Sequence, residues 1–210
     1  MKIGICGGTF DPFHRGHLEP ILAVRARLEW DRVLFIPAYR QPFKQEQEFA
    51  AASHRFAMAA MVTLDHDGFQ VSDIELERGA VSYTVDTLEQ LREQYVDDTL
   101  DWIIGDDNLA TLLEWKSIDR ILELANFTVL TRSGLASVPP VLHALVTESH
   151  KRSTRGCLVF AENTTVPVSS TEIRKRVQAA EPIDELVDPR VSRYIHHYGL
   201  YRKANRERID

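Results

Sequence analysis

Two glycines and two histidines near the start of the chain have the types and spacing expected of an anion site. Residues 7–17 read GGTFDPFHRGH, between an apolar stretch and a segment with helical periodicity. Gly7 and Gly8 allow a sharp turn that leaves backbone N–H groups free, and the helix start that follows adds the positive end of its dipole. The pattern therefore predicts a phosphate site, with His14 and His17 on one side of the helix start.

The histidine pair has two other interpretations. Packing and helix capping would explain a single histidine without any chemistry. Zinc would need a third and usually a fourth ligand, and the sequence supplies no cysteine or histidine cluster for them, so no metal site is expected in the protein itself. The turn matches neither the GxGxxG fingerprint nor the P-loop, and its surroundings favour direct contact with phosphate.

A second motif with clustered hydroxyl groups and cations lies near the other end of the chain. Residues 168–176 read VSSTEIRKR. Ser169 is expected to cap a helix, with Glu172 completing a capping box. Three cations beginning at Arg174 then fall early in the helix, where each opposes the helix dipole at a cost of about 0.3–1 kcal/mol. A bound polyphosphate would make the three cations stabilising instead. The alternative is that they form a solvated basic face.

The elements that must position these motifs alternate along the chain. Apolar runs predict strands covered on both faces at 2–6, 32–37, 100–104, 127–131 and 157–161, and the alternating residues 69–76 predict a more exposed strand. Helical segments are expected at 16–28, 50–62, 84–95, 107–114, 117–125, 138–148, 170–179 and 189–198. This order predicts an α/β fold, a Rossmann-like doubly wound parallel sheet with helices on both faces. Ligands of such sheets bind beyond the C-terminal ends of the strands.

Length and composition limit the class of protein. The 210 residues suit a single domain, with a C-terminal helical part at 169–202 and a charged tail at 203–210 that is expected to fray. A net charge of −6 argues against a nucleic-acid-binding protein. Two cysteines are too few for a disulfide framework. With no signal peptide and no apolar run approaching about 18 residues, no membrane association and a cytoplasmic location are expected.

The first motif resembles the signature of the nucleotidyltransferases related to class I aminoacyl-tRNA synthetases, and VSSTEIRKR resembles their second signature, [IV]SSTxIR. The resemblance implies that His14 and His17 contact the phosphates of ATP. It also implies that Arg174 neutralises them. The remaining ATP-binding residues that it implies in the two motifs are Gly7, Gly8, Thr9, Phe10, Ser169, Ser170 and Thr171.

Four further segments resemble bacterial nicotinate-mononucleotide adenylyltransferases in order and spacing: SYTVDTL at 82–88, IIGDDNLATLLEWK at 103–116, FTVLTRSG at 127–134 and VSRYIHHYGLY at 191–201. The resemblance implies a mononucleotide site formed by Tyr83, Thr84, Trp115 and Arg132, in which an aromatic face suits a flat pyridine ring. Thr84 is expected to cap the helix that follows it. The resemblance also implies that Gly105 and Asp107 bind the adenosine. The simpler interpretations are core packing for Trp115 and a helix-start carboxylate for Asp107.

The loop after the second strand departs from that family. Its usual pattern is PxNxPPHK, and residues 37–44 read PAYRQPFK. Lys44 is kept and is expected to reach a phosphate as a point charge. Tyr39 and Phe43 replace the asparagine and the histidine, and Arg40 is a candidate to hold the acceptor phosphate in their place. The polar loop at 38–49 is expected to move as a lid.

Neither motif offers an activated nucleophile, which predicts direct in-line transfer driven by positioning and charge stabilisation. Mg²⁺ is expected to bind mainly through the ATP phosphates. The resemblance implies that AMP passes from ATP to nicotinate mononucleotide, giving deamido-NAD and pyrophosphate. One alternative is another acceptor, nicotinamide mononucleotide or phosphopantetheine, and the length and SYTVDTL weigh against the latter. The other alternative is a nucleotide sensor without turnover.

Overall fold

The computed structural model describes residues 1–42, 49–131, 138–147 and 156–202. Within them, strands β1 to β6 run Lys2–Gly8, Arg32–Pro37, Phe69–Val71, Thr99–Gly105, Asn126–Leu130 and Leu158–Ala161. They form one sheet in the order β3-β2-β1-β4-β5-β6, and every neighbouring pair is parallel. The order reverses between β1 and β4, and ligands of open α/β sheets bind at such a switch point.

Helices lie along both faces of this sheet. They are α1 to α7 at Arg15–Leu28, Ala52–Thr63, Ile74–Arg78, Thr84–Gln94, Ile118–Leu124, Ser170–Gln178 and Pro189–Tyr198. Two 3-10 helices lie at Asp106–Glu114 and Pro140–Leu145. The predicted α/β, doubly wound fold class is confirmed, although the segments predicted as helices at 107–114 and 138–148 form 3-10 turns.

The sheet has a hydrophobic core on each face because successive strand residues point in opposite directions. In β2, Val33 and Phe35 join one core, and Leu34 and Ile36 join the other. A strand buried on both faces needs a continuous apolar run, which is why RVLFIP was recognisable as a strand. The first core also contains Ile173 and Val191, so the C-terminal helices pack on the same apolar layer as the sheet.

The prediction of a strand over 69–76 is wrong in its second half. β3 pairs with β2 only from Phe69 to Val71, and the chain then turns into α3. Glu75 and Glu77 lie in the first turn of that helix, where negative charge is stabilised by the helix dipole. Short edge strands of this kind leave little unpaired backbone.

No helix in the described ranges is long and apolar enough to cross a bilayer. The charged tail at 203–210 lies outside the described residues, as do Lys44, Phe43 and Arg132.

Candidate active site

The sharp turn predicted at Gly7 and Gly8 begins later, because both glycines are paired strand residues at the end of β1. The turn that follows them, at the C-terminal edge of the sheet, is anchored by two aromatic side chains. Phe10 and Phe13 are each 1 % exposed, and both pack against Phe35 of β2 with ring centroids 6.1 and 5.2 Å away. Phe10 has a φ of 52°, a backbone conformation rare for residues with a side chain. The aromatic anchors therefore fix a turn whose backbone faces the sheet edge.

His14 and His17 lie together where α1 begins. Their rings stack with centroids 3.7 Å apart and an angle of 21° between the planes. The backbone N–H of His14 donates to Nδ1 of His17 at 3.2 Å. Because Nδ1 accepts, the neutral ring carries its proton on Nε2. His17 therefore presents an oriented N–H donor beside the glycine-rich turn.

The second motif meets this turn directly, although the two are far apart in sequence. The hydroxyl of Ser170 donates to the carbonyl of Pro12 at 3.1 Å. A Cβ atom on Gly16 would lie 2.9 Å from the side chain of Val168, so only glycine allows this close approach of the two segments. The predicted N-cap is confirmed, because Oγ of Ser169 accepts from the backbone N–H of Glu172 at 3.2 Å.

The three cations of α6 have different environments. Arg174 donates through Nη1 to the carbonyl of Asp11 at 2.7 Å and through Nη2 to Oγ1 of Thr171 at 3.2 Å. Arg176 instead pairs with Glu172 at 2.9 Å, so the carboxylate expected to close a capping box forms an ion pair. Lys175 is exposed. Arg174 is thus the cation that α6 brings to the turn.

Asp11 was not predicted as a site residue, and it connects four segments. Its side chain is 1 % exposed. Oδ1 accepts from the Tyr201 hydroxyl at 2.7 Å and from the Ala50 N–H at 3.2 Å. Burial raises the pKa of this carboxyl, while the Tyr201 hydrogen bond and the charge of Arg174 act in the opposite direction.

An aromatic and charged group lies at the start of α4. Tyr83, in extended conformation, is the N-cap of that helix. The prediction that Thr84 caps it is therefore wrong by one residue, although Thr84 still contributes one of the first helical N–H groups, which have no partner within the helix. Nζ of Lys116 lies 4.5 Å from the centroid of the Tyr83 ring and 3.0 Å from Oδ1 of Asp86. Sequence reasoning did not find Lys116.

Trp115 lies between the core and the cleft. Its ring packs edge-on against Phe127, with centroids 6.0 Å apart, and it also lines the cleft near Tyr83. Glu75 of α3 faces the same region with 3 % of its surface exposed. Burial raises the pKa of Glu75, while hydrogen bonds from Thr87 and Ser82 favour its ionised form.

The phosphate-type turn and the aromatic group at the start of α4 border one cleft with a volume of about 990 Å³. It is lined by every described residue that the family resemblance assigns to the site: Gly7, Gly8, Thr9, Phe10, His14, His17, Tyr83, Thr84, Gly105, Asp107, Trp115, Ser169, Ser170, Thr171 and Arg174. The predicted residues Lys44 and Arg132 lie outside the described residues. Arg40 and Tyr39 line a separate cavity of about 250 Å³.

The donors at the turn suit phosphate oxygens better than a metal ion. They are backbone N–H groups, imidazoles, hydroxyls and one guanidinium. Across the described ranges, no group of three or more His, Cys, Asp or Glu side chains is arranged to hold a metal. A Mg²⁺ ion at this site would therefore be carried mainly by the phosphate oxygens of a bound nucleotide.

Comparison with known proteins gives a consistent result. The sequence model of the cytidylyltransferase-like family matches residues 5–176. A probable nicotinate-nucleotide adenylyltransferase of Thermoanaerobacter sp. is 38 % identical over 97 % of this chain and 95 % of its own length. One of Roseiflexus sp. is 42 % identical over 95 % of this chain and 98 % of its own length.

Solved structures show the same fold at lower identity. The nicotinic acid mononucleotide adenylyltransferase of Plasmodium falciparum, complexed with NaAD, superposes with a TM-score of 0.74 at 20 % identity, over 95 % of this chain and 97 % of that one. A second structure of that enzyme, complexed with APC, gives a TM-score of 0.72. By its sequence and fold, the chain belongs to the cytidylyltransferase-like family and, within it, to the nicotinate-nucleotide adenylyltransferases.

Proposed function

We propose that this chain transfers AMP from ATP to nicotinate mononucleotide, giving deamido-NAD and pyrophosphate. One observation carries the proposal: a single cleft joins a phosphate-type turn, with Arg174 and His17, to an aromatic region around Tyr83 and Trp115. The relatives named above supply the identity of the acceptor. A site that bound only phosphate would not need the aromatic region around Tyr83 and Trp115.

The chemistry proposed is a direct displacement at the α-phosphorus of ATP. An oxygen of the mononucleotide phosphate forms the new P–O bond while the bond from the α-phosphorus to the bridging oxygen breaks, and pyrophosphate leaves with that electron pair. The attacking phosphate is ionised at neutral pH, so no general base is required. Positioning and charge stabilisation then account for the acceleration.

The chain's own groups supply that stabilisation. The turn after β1 would offer backbone N–H donors, and His17 offers Nε2–H, held in this tautomer by the His14 backbone. Arg174 is oriented by Asp11 and Thr171 and faces the place proposed for the β- and γ-phosphates. Mg²⁺ carried by ATP would neutralise further charge on those phosphates.

Three coarser features support the rest of the assignment. The shared core of the sheet and the C-terminal helices supports a single nucleotidyltransferase domain. The two cysteines of the sequence, Cys6 and Cys157, are not joined in a disulfide, which favours a reducing compartment such as the cytoplasm. The net charge of −6 favours small-molecule substrates over nucleic acid.

Pyrophosphate release with a panel of acceptors tests the proposal. Purified protein, ATP and Mg²⁺ are incubated with nicotinate mononucleotide, nicotinamide mononucleotide, phosphopantetheine or no acceptor, and the product is identified by mass. We expect deamido-NAD and the highest rate with nicotinate mononucleotide. A higher rate with another acceptor would reassign the substrate, and nucleotide binding without turnover would indicate a sensor.

A further inference from the structure

Glu75 is a buried acidic residue that the mechanism above does not use. It lies in the first turn of α3, is 3 % exposed and lines the cleft on the same side as Tyr83 and Thr84. A buried carboxyl group is costly unless hydrogen bonds compensate for the lost water. Its partners therefore indicate what it holds in place.

Two hydroxyl groups bind the Glu75 carboxyl. Oγ1 of Thr87 donates to Oε1 of Glu75 at 2.6 Å, and the side chain of Ser82 also bonds to it. Each hydroxyl oxygen already accepts an N–H: Thr87 from Nη2 of Arg78 at 2.8 Å, and Ser82 from the backbone of Tyr39 at 3.0 Å. The Thr87 hydroxyl can also donate to the carbonyl of Tyr83, but that oxygen is 3.4 Å away, against 2.6 Å for Glu75. Glu75 therefore serves as the acceptor for both hydroxyl groups.

The two hydroxyl groups flank Tyr83 and Thr84 in the sequence. Ser82 immediately precedes Tyr83 and Thr84, and Thr87 lies one turn into α4, with its N–H bonded to the carbonyl of Tyr83 at 3.3 Å. Ser82 also donates its backbone N–H to the carbonyl of Arg40 at 2.8 Å. One carboxylate therefore ties the start of α4 to the segment before it and, through Ser82, to the loop after β2.

We propose that Glu75 is a positioning residue for the acceptor mononucleotide, holding Tyr83 and Thr84 in place through Ser82 and Thr87. The hydrogen bonds of Glu75 do not reach the phosphate-binding turn or α6. The link between them is electrostatic, through Arg55, which attracts Glu75 and donates to the carbonyl of Thr9 at 2.8 Å. We therefore expect the ATP half of the cleft to depend on Glu75 much less than the acceptor half. The identity of the acceptor, though not the positioning, rests on the proposed function.

Calorimetric binding of each substrate separately tests this role. In Glu75→Gln, one hydroxyl proton would face an amide N–H in place of an oxygen. We expect the Kd for nicotinate mononucleotide to rise at least about tenfold, because one buried hydrogen bond is replaced by two opposed donors. The Kd for ATP is expected to stay within about threefold of wild type. Glu77→Gln, which alters an exposed carboxylate of the same helix, is the matched control and should change neither constant.

Ser82→Ala provides a second, milder variant that removes one of the two links. It should weaken acceptor binding in the same direction, and its effect should be smaller in the Glu75→Gln background, because the two residues share one contact. If Glu75→Gln does not fold, the Kd values of Ser82→Ala for the two substrates test the proposal alone.

The proposal is overturned if the Kd values for both substrates rise together, which would indicate general loss of structure, or if neither changes. Binding and turnover by the wild-type protein distinguish a failure of this proposal from a failure of the proposed function. Wild-type protein that binds nicotinate mononucleotide but does not turn it over contradicts only the function. Wild-type protein that does not bind it contradicts both.

Discussion

Single side chains at the phosphate end of the cleft are oriented before any substrate arrives. The tautomer of His17 is set by a backbone N–H, and Arg174 is held by two hydrogen bonds. Donors fixed in this way need no reorganisation when charge develops in the transition state, which is the main source of electrostatic catalysis. Both residues should therefore affect catalysis or ATP binding far more than folding.

We predict that His17→Ala lowers kcat by about 10²–10³-fold, because one oriented donor is worth roughly 3–4 kcal/mol in a transition state of this kind. Steady-state rates and a thermal melt of the same preparation measure the two effects. His196→Ala, at an exposed position of α7, is the control and should retain full turnover. A His17 variant with wild-type turnover would remove His17 from the mechanism.

We predict that Arg174→Ala weakens binding of ATP and pyrophosphate by about tenfold or more, since a charged hydrogen bond contributes about 1.5–3 kcal/mol. Binding of the mononucleotide should stay nearly unchanged. Calorimetry with each ligand measures this, and Arg176→Ala, which breaks the pair with Glu172, is the matched control. Equal losses for both substrates would count against the assignment.

Among the elements, the two signature motifs depend on a close approach of α1 to the segment before α6. Gly16 makes that approach possible: an added Cβ would lie 2.9 Å from Val168 and 3.1 Å from the His14 ring. The neighbouring contact from Ser170 to the Pro12 carbonyl would then have to shift. The spacing between the two halves of the ATP site is therefore set by a residue that has no side chain.

Gly16→Ala should lower kcat/KM for ATP by about tenfold and destabilise the fold by about 1–3 kcal/mol, the usual cost of overpacking. Rates at several ATP concentrations and urea denaturation measure both quantities. Ala23→Gly on the exposed side of α1 should cost about 1 kcal/mol of stability without changing the rate. A Gly16→Ala enzyme as active as wild type would show that the segments can separate without consequence.

Elements and motifs differ in how far the sequence predicts them. Continuous apolar runs such as RVLFIP are unambiguous because both faces of β2 are buried. The run at 69–76 misleads because its pairing with β2 stops at Val71, a tertiary limit with no local signal. Thr84 was assigned as a cap on residue type, whereas the extended backbone at Tyr83 decides where α4 begins.

Two cleft carboxylates show why the rest of the site could not be predicted. Asp11 and Glu75 gain their roles from partners distant in sequence, Tyr201 for one and Thr87 for the other. No local sequence motif predicts such contacts. The phosphate motifs, in contrast, are local because a turn and the helix start after it are sufficient to bind an anion.

For the whole molecule, the sheet is held together beneath the cleft by a buried polar group. Asp101 is fully buried and accepts from Nε1 of Trp30 at 2.6 Å and from Nδ2 of Asn126 at 3.0 Å. We predict that Asp101→Leu costs about 3 kcal/mol of unfolding free energy, because two buried donors lose their acceptor. Urea denaturation measures this. Unchanged stability would mean that the donors find other partners.

The donors and acceptors of the cleft also predict whether the pyridine ring of the acceptor carries a carboxylate or an amide. The first N–H groups of α4 are donors, which suit a carboxylate and oppose the NH₂ of an amide. Two acidic side chains lie near this site, and both already have partners: Asp86 pairs with Lys116, and Glu75 accepts from Thr87 and Ser82. Neither is therefore expected to serve as the acceptor for an amide. A charged hydrogen bond adds about 1.5–3 kcal/mol, and an unpaired buried NH₂ costs a similar amount.

The ratio of kcat/KM for nicotinate mononucleotide to that for nicotinamide mononucleotide, measured by pyrophosphate release at saturating ATP, tests the account most directly. The two energies together predict a preference of at least about a hundredfold for the acid, at roughly 1.4 kcal/mol per tenfold. A ratio below about ten would mean that the cleft binds the ring without reading its charge, and it would contradict the acceptor site described around Tyr83, Thr84 and Trp115.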